Sequence, residues 1–121
     1  MSNNTELQTK AVKAATRFCE RRGYEILATG WEPKDGEGVI DLVADDEGAI
    51  VFIDVTATSH GDGGFAHGHT ERHDMEVLAA GWLAENTPEG DVSVRFDMID
   101  MIVVSTDRAL LRHHINAYSE A

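Results

Sequence analysis

Two nearly continuous apolar runs in the middle of the chain constrain its fold more than any other feature. Residues 39–44 are apolar except for Asp41, residues 49–57 are apolar except for Asp54 and Thr56, and the polar segment 45–48 (DDEG) separates the two runs. Two such runs around a four-residue turn predict a β-hairpin. Because both strands are apolar along most of their length, we expect the hairpin to be central in its sheet, with helices on both faces.

Helical spacing of apolar residues predicts a first helix over residues 5–22, with Thr5 and Gln8 as a capping box and Gly23 as its C-terminal cap. Residues 24–31 predict a first strand.

A second helix is predicted over residues 71–86 and a long strand over residues 92–104. A last helix is predicted after Thr106-Asp107, with the apolar positions Leu110, Leu111, Ile115 and Tyr118. The predicted order is therefore α-β-β-β-α-β-α, in one α/β domain spanning residues 1–121.

The charge balance limits the partners of the chain. It has 22 acidic and 10 basic residues, a net charge of −12, and only three lysines, Lys10, Lys13 and Lys34. Nucleic-acid binding depends largely on basic side chains that neutralise phosphates. The balance therefore argues against tight non-specific nucleic-acid binding, although Arg17, Arg21 and Arg22 give the N-terminal region a local basic cluster.

Cysteine content and hydropathy suggest a compartment. The one cysteine, Cys19, cannot form an internal disulfide, and its helical surroundings favour a small buried apolar residue over a reactive thiol. Neither a signal peptide nor an apolar stretch of membrane-spanning length is evident. We expect a cytoplasmic protein with no membrane association, whose oligomeric state the sequence does not determine.

The aspartates of the two apolar runs are the candidate functional residues. With the turn centred between Asp46 and Glu47, Asp41 lies opposite Phe52, and Asp54 is its diagonal neighbour on the same face, roughly 7–8 Å away. Two converging carboxylates are suited to Mg²⁺ or Mn²⁺. The alternatives are exposure at a strand end or acceptance of a backbone hydrogen bond, and a one-residue bulge would put the two acids on opposite faces.

The order of elements and five short segments resemble the YraN-like family of predicted endonucleases, which has the PD-(D/E)xK nuclease fold. The matching segments are residues 21–27 (RRGYEIL), 38–42 (GVIDL), 51–56 (VFIDVT), 95–97 (RFD) and 113–118 (HHINAY). The resemblance implies a restriction-endonuclease-like core with a central mixed β-sheet flanked by helices. It also implies metal-dependent hydrolysis of DNA, with Asp41, Asp54 and Thr56 at the catalytic positions and the two aspartates as the metal ligands.

The chain departs from the family pattern at positions important for cleavage. Thr56 stands where the family has lysine, and Val12 and Val39 stand where it has glutamates. The loss of the lysine predicts weak or absent cleavage unless Arg72 or Lys13 replaces it. Two functions remain open: a metal-dependent endonuclease, or a catalytically inactive nuclease-fold protein that binds or regulates.

A histidine-rich segment precedes the second predicted helix. His60, His67, His69 and His73 fall within fourteen residues of a glycine-rich stretch. The absence of cysteine and of a recognisable spacing favours a mobile solvated loop over a Zn²⁺ site.

Overall fold

The computed structural model of the protein describes residues 2–34, 36–59, 71–86, 91–105 and 107–117, with side chains from Glu6 onward. Two helices and five strands follow one another along the chain. They are α1 (Ser2–Arg21), β1 (Glu25–Trp31), β2 (Ile40–Asp46), β3 (Ala49–Ser59), α2 (Arg72–Asn86), β4 (Ser93–Ser105) and β5 (Arg108–His114).

The five strands form one mixed sheet in the order β1-β2-β3-β4-β5. β3 and β4 are parallel, and the connection between them contains α2, whereas the other neighbouring strands are antiparallel. The predicted hairpin is therefore confirmed as β2 and β3, and both of its strands are interior to the sheet.

Each face of the hairpin packs against one helix, as its apolar character predicted. On one face α1 contributes Ala11, Ala15 and Cys19, which pack with residues such as Leu42, Val51, Ile53 and Met101. On the other, α2 contributes Met75, Leu78, Ala79 and Trp82, which pack with Ile40, Val43 and Phe52. Cys19 is fully buried, as predicted, and burial raises its pKa to about 11. None of the helices in the described ranges is long and apolar enough to cross a membrane.

The hairpin turn is centred one residue later than predicted. Glu47 and Gly48 have φ values of 52° and 95°, as in the two-residue turns whose twist matches that of paired strands. Consequently Phe52 lies opposite Val43 and not opposite Asp41.

The first helix ends as predicted but begins earlier. Gly23 has a φ of 92°, and the backbone N–H groups of Gly23 and Tyr24 donate to the carbonyls of Glu20 and Cys19, which forms a Schellman cap. At the other end α1 starts at Ser2, so Thr5 lies inside the helix. Gln8 bonds to β3 in place of the predicted capping box.

The predicted last helix is wrong, since residues 108–114 form strand β5 along the edge of β4. The apolar cluster at residues 109–111 is too short to distinguish helical from strand periodicity. Pairing with β5 satisfies the backbone N–H and C=O groups of a long edge strand, and this tertiary effect decides the structure. Ile115 lies in the following turn, and Tyr118 lies outside the described residues.

Candidate functional site

Asp41 and Asp54 are neighbours on the two central strands and interact with each other. β2 and β3 pair from Asp46 opposite Ala49 as far as Leu42 opposite Ile53, so Asp41 lies one residue beyond the last paired position. The predicted pairing of Asp41 with Phe52 is corrected, because Val43 lies opposite Phe52. Ile40 packs with the α2 cluster although Leu42 packs with the α1 cluster, so strict side-chain alternation along β2 does not hold at Asp41.

Burial changes the proton affinity of this pair. Asp41 is 9% exposed and Asp54 is 6% exposed. Burial raises the pKa of Asp41 to about 6, and the charge of Asp54 adds to the rise, while a hydrogen bond from the Val55 backbone N–H opposes it. A side-chain hydrogen bond between Asp41 and Asp54, which requires a proton on one of the two carboxyls, contributes to the same rise in the pKa of Asp41.

At Val55, both backbone hydrogen-bonding groups are bonded to side chains. The Val55 N–H donates to Asp41 Oδ2 at 2.8 Å, and the Val55 carbonyl accepts from Gln8 Nε2 at 2.8 Å. The backbone hydrogen bond that the sequence offered as one alternative for Asp41 is thus present. It engages one of the two carboxylate oxygens, and Gln8 joins α1 to the same site.

Thr56 lies beside the pair on β3 and is directed to a third acid. Its hydroxyl donates to Asp100 Oδ1 at 2.8 Å, across the parallel register in which Thr56 is paired with Asp100. Asp100 is 3% exposed. The sequence did not single out Asp100, because the register between two strands joined by a long crossover cannot be obtained from sequence periodicity.

Two side chains from β5 contact the other oxygen of Asp100. His114 Nε2 is 3.2 Å from Asp100 Oδ2, and Arg112 Nη2 is 3.5 Å from the same atom. The incorrect helix over this segment concealed both residues.

The two cations proposed to replace the family lysine lie elsewhere. Arg72 forms an exposed ion pair with Glu76 at 3.1 Å on α2. Lys13 lies in a groove beside α1, together with Ser59 at the end of β3.

The two predicted metal sites, the Asp41–Asp54 pair and the histidine-rich segment, differ in how far the structure describes them. In the portion of the chain that the structure describes, no three His, Cys, Asp or Glu side chains come together as a metal site. Asp41 and Asp54 are a pair of buried carboxyls that interact with each other. His60, His67 and His69, and with them the predicted mobility of the histidine-rich loop, lie outside the described residues, whereas His73 is exposed on α2.

A second polar network occupies the opposite face of the sheet. Asp97, fully buried, accepts hydrogen bonds from Arg95 Nε and Nη2, each at 3.0 Å, and from the Asn116 backbone N–H at 2.8 Å. His113 Nε2 lies 2.8 Å from Asp97 Oδ2, and Arg95 also donates to the Tyr24 hydroxyl at 2.8 Å.

The network contains residues from three of the matching sequence segments. Through Tyr24, Arg95, Asp97 and His113 it joins β4 and β5 to the residue that follows the cap of α1. Asp97 therefore braces these elements against one another.

The mixed sheet, the helix on each face and the acids on the central hairpin define a restriction-endonuclease-like α/β core. Residues 12–101 match the model of the family described as "Uncharacterised protein family UPF0102". The chain belongs to this family, which is the YraN family that the sequence segments indicated.

Relatives of the same family cover most of the chain. A UPF0102 protein of Geobacter metallireducens is 31% identical over 122 residues, which cover 98% of this chain and 97% of the relative. UPF0102 proteins of Roseiflexus castenholzii and Beutenbergia cavernae are each 35% identical, covering 74% and 80% of this chain and 73% and 80% of their own lengths.

Proposed function

We propose that this chain is a nuclease-fold protein that binds a divalent cation through Asp41 and Asp54 and has weak or no phosphodiester cleavage activity. The observation that carries the proposal is the Thr56–Asp100 hydrogen bond at 2.8 Å. By resemblance, the Thr56 position is the place of a lysine, and here it holds a neutral hydroxyl that donates to a buried acid.

The carboxylate pair fits Mg²⁺ or Mn²⁺ chemically. Both ions prefer hard oxygen ligands, and Mg²⁺ in particular is often held by one or two carboxylates with waters completing its shell. Burial, with a smaller contribution from the charge of Asp54, raises the pKa of Asp41, so ionising this buried carboxyl is costly and a divalent cation would supply the missing counter-charge. When bound, such a cation would activate a water and stabilise negative charge on a phosphodiester.

The absence of a lysine side chain at position 56 argues against efficient cleavage. Loss of one preorganised group that stabilises developing charge typically costs on the order of 10²–10³ in rate. The Thr56 hydroxyl can orient a water, but it carries no positive charge. Arg112 places positive charge next to Asp100, where it offsets that buried carboxylate.

The second candidate function is an active endonuclease with a relocated cation. Arg112 favours it, because its side chain is 53% exposed and lies 3.5 Å from Asp100, the residue that accepts the Thr56 hydrogen bond. The net charge of −12 weighs against tight DNA binding in either case. For both candidate functions we propose a nucleic acid as the partner and the cytoplasm as the location.

The test separates metal binding from cleavage. Mn²⁺ binding is measured by calorimetry for the wild type, Asp41→Asn, Asp54→Asn and the exposed control Asp91→Asn. We expect weak binding that both site variants lose and the control keeps. Retention of binding in Asp41→Asn and Asp54→Asn would contradict the metal assignment.

Cleavage is measured on linear, branched and single-stranded DNA with Mg²⁺ and Mn²⁺. We expect little or no product. Robust cleavage that Asp41→Asn and Arg112→Gln both abolish would favour the relocated cation over the inactive protein.

A further inference from the structure

A groove between α1 and the β4–β5 hairpin concentrates positive charge on this acidic protein. Its volume is about 690 Å³, within the range of small-molecule sites. Four of the ten basic residues of the chain line it, namely Lys10, Lys13, Arg17 and Arg108. The proposed function does not use this groove, which lies on the α1 side of the sheet.

The geometry of α1 explains the alignment of three of these cations. Lys10, Lys13 and Arg17 are spaced at i, i+3 and i+7, so they lie on one stripe of the helix. Arg108 begins β5 on the other wall of the groove. All four side chains are exposed, and none forms an ion pair within the described ranges.

The charge of the groove matches a phosphomonoester. The lining contains four cations and two acids, Glu6 and Asp107, which gives a formal charge of +4 − 2 = +2. A phosphomonoester carries a charge of about −1.5 to −2 at pH 7. One such group would therefore neutralise the groove.

The floor of the groove is apolar. It is formed by small or aliphatic side chains from α1, β4 and β5, including Leu7, Ala11, Met101, Val103 and Ala109. A ligand that fills the groove therefore presents an apolar body as well as its anionic group.

The rest of the surface favours a small ligand over a polymer. Outside the groove the chain has 22 − 2 = 20 acidic and 10 − 4 = 6 basic residues. A long polyanion leaving the groove would meet this negative surface, whereas a ligand whose charge is confined to the groove would not. We infer that the groove binds a small organic phosphomonoester, with the phosphate among the cations and the apolar body on the floor.

The probe is adenosine monophosphate, a phosphomonoester with a flat organic body, titrated calorimetrically into the full chain. Adenosine, inorganic phosphate and a single-stranded oligonucleotide of about 20 nucleotides are titrated alongside. We expect adenosine monophosphate to bind more tightly than each of the other three.

Two double variants separate the groove from global charge. Lys13→Glu with Arg17→Glu changes the formal charge of the groove from +2 to −2, and we expect its affinity for adenosine monophosphate to fall at least about tenfold. Arg21→Glu with Lys34→Glu makes the same change in net charge at exposed positions outside the groove, and we expect it to retain near-wild-type affinity. Circular dichroism checks that both fold.

Four outcomes would overturn the inference. They are no binding of adenosine monophosphate at millimolar concentration, equal losses in the two double variants, adenosine or inorganic phosphate binding as tightly as adenosine monophosphate, and an oligonucleotide binding more tightly. The last would identify the groove as a nucleic-acid track. Mn²⁺ binding by Asp41 and Asp54 is measured independently, so failure of one proposal leaves the other intact.

Discussion

Thr56 and Asp100 face each other across parallel strands β3 and β4, with the threonine hydroxyl 2.8 Å from Asp100 Oδ1. The resemblance to the YraN family implies a lysine at position 56, and the threonine found there is bonded to a buried acid instead. Asp100 in turn is contacted by Arg112 and His114 from β5. The positive charge of Arg112 therefore reaches Asp100 from the strand at the edge of the sheet.

Restoring the family residues tests whether their loss is what limits cleavage. Thr56→Lys with Val39→Glu reintroduces an amine beside Asp100 and an acid at the entrance to β2, where Val39 is 41% exposed and tolerates a charge. We expect the double variant to gain at least about tenfold in Mn²⁺-dependent cleavage of a fluorescent DNA, toward the 10²–10³ typical of such groups.

A matched double variant controls for the added charges. Thr29→Lys with Val94→Glu places the same two charges at exposed positions of the sheet, and it should show no gain. An unchanged rate in the Thr56→Lys double variant, with Mn²⁺ binding intact, would show that the scaffold has lost more than these two residues.

The sequence predicted the parts of the site that depend on local patterns. An aspartate inside each apolar run was sufficient to select Asp41 and Asp54 as candidates, because a charge in a buried strand stands out against its neighbours. Asp100, Arg112 and His114 were missed because they meet only through the β3–β4 and β4–β5 pairings. Those pairings depend on long-range packing and on the need of an edge strand for hydrogen-bond partners, which no local spacing encodes.

The buried Asp97 network should contribute strongly to stability. Asp97→Asn leaves Arg95 and His113 without the charge that they surround, and breaking a buried ion pair on one side typically costs about 3–5 kcal/mol. Urea denaturation at pH 7 measures the loss. The exposed Asp91→Asn should change the free energy of unfolding by less than about 0.5 kcal/mol, and an equally small effect in Asp97→Asn would contradict this role.

The pH dependence of the same network has a defined sign. Burial alone would raise the pKa of Asp97, but the hydrogen bonds from His113 and Arg95 hold it below its ordinary value. A carboxyl with a lowered pKa contributes stability above the unfolded pKa of about 3.9, and this contribution is lost as the pH falls through the folded value. Wild type should therefore lose more stability than Asp97→Asn when the pH is lowered from 5 toward 3.

Neighbouring leucines test the strand assignment of residues 108–114. Leu111 packs against the α1 core, whereas Leu110 is 54% exposed, as alternation along a strand requires. We expect Leu111→Ser to lower the free energy of unfolding by about 1–3 kcal/mol and Leu110→Ser by less than about 0.5 kcal/mol. Equal effects, measured by urea denaturation, would favour the helical stripe that contains both residues.

The Asp41–Asp54 pair should make the protein less stable as the pH rises from about 4 to 6. The pKa of Asp41 is raised from an ordinary value near 4 to about 6, so the folded chain holds a proton that the unfolded chain has already released. The stabilisation is complete below the unfolded pKa and is lost as the pH approaches 6, with a magnitude of about 2–3 kcal/mol.

Asp41→Asn keeps an acceptor for the Val55 N–H but cannot ionise. Above pH 7 it should therefore be more stable than wild type by about 1–3 kcal/mol, and Mn²⁺ should raise the melting temperature of wild type but not of the variant. Thermal denaturation between pH 4 and 8 compares the stability of wild type with that of Asp41→Asn, and Asp91→Asn serves as the exposed control. A variant less stable than wild type across the whole range would mean that the ionised pair is favourable without metal, and it would remove the physical reason for a cation at this site.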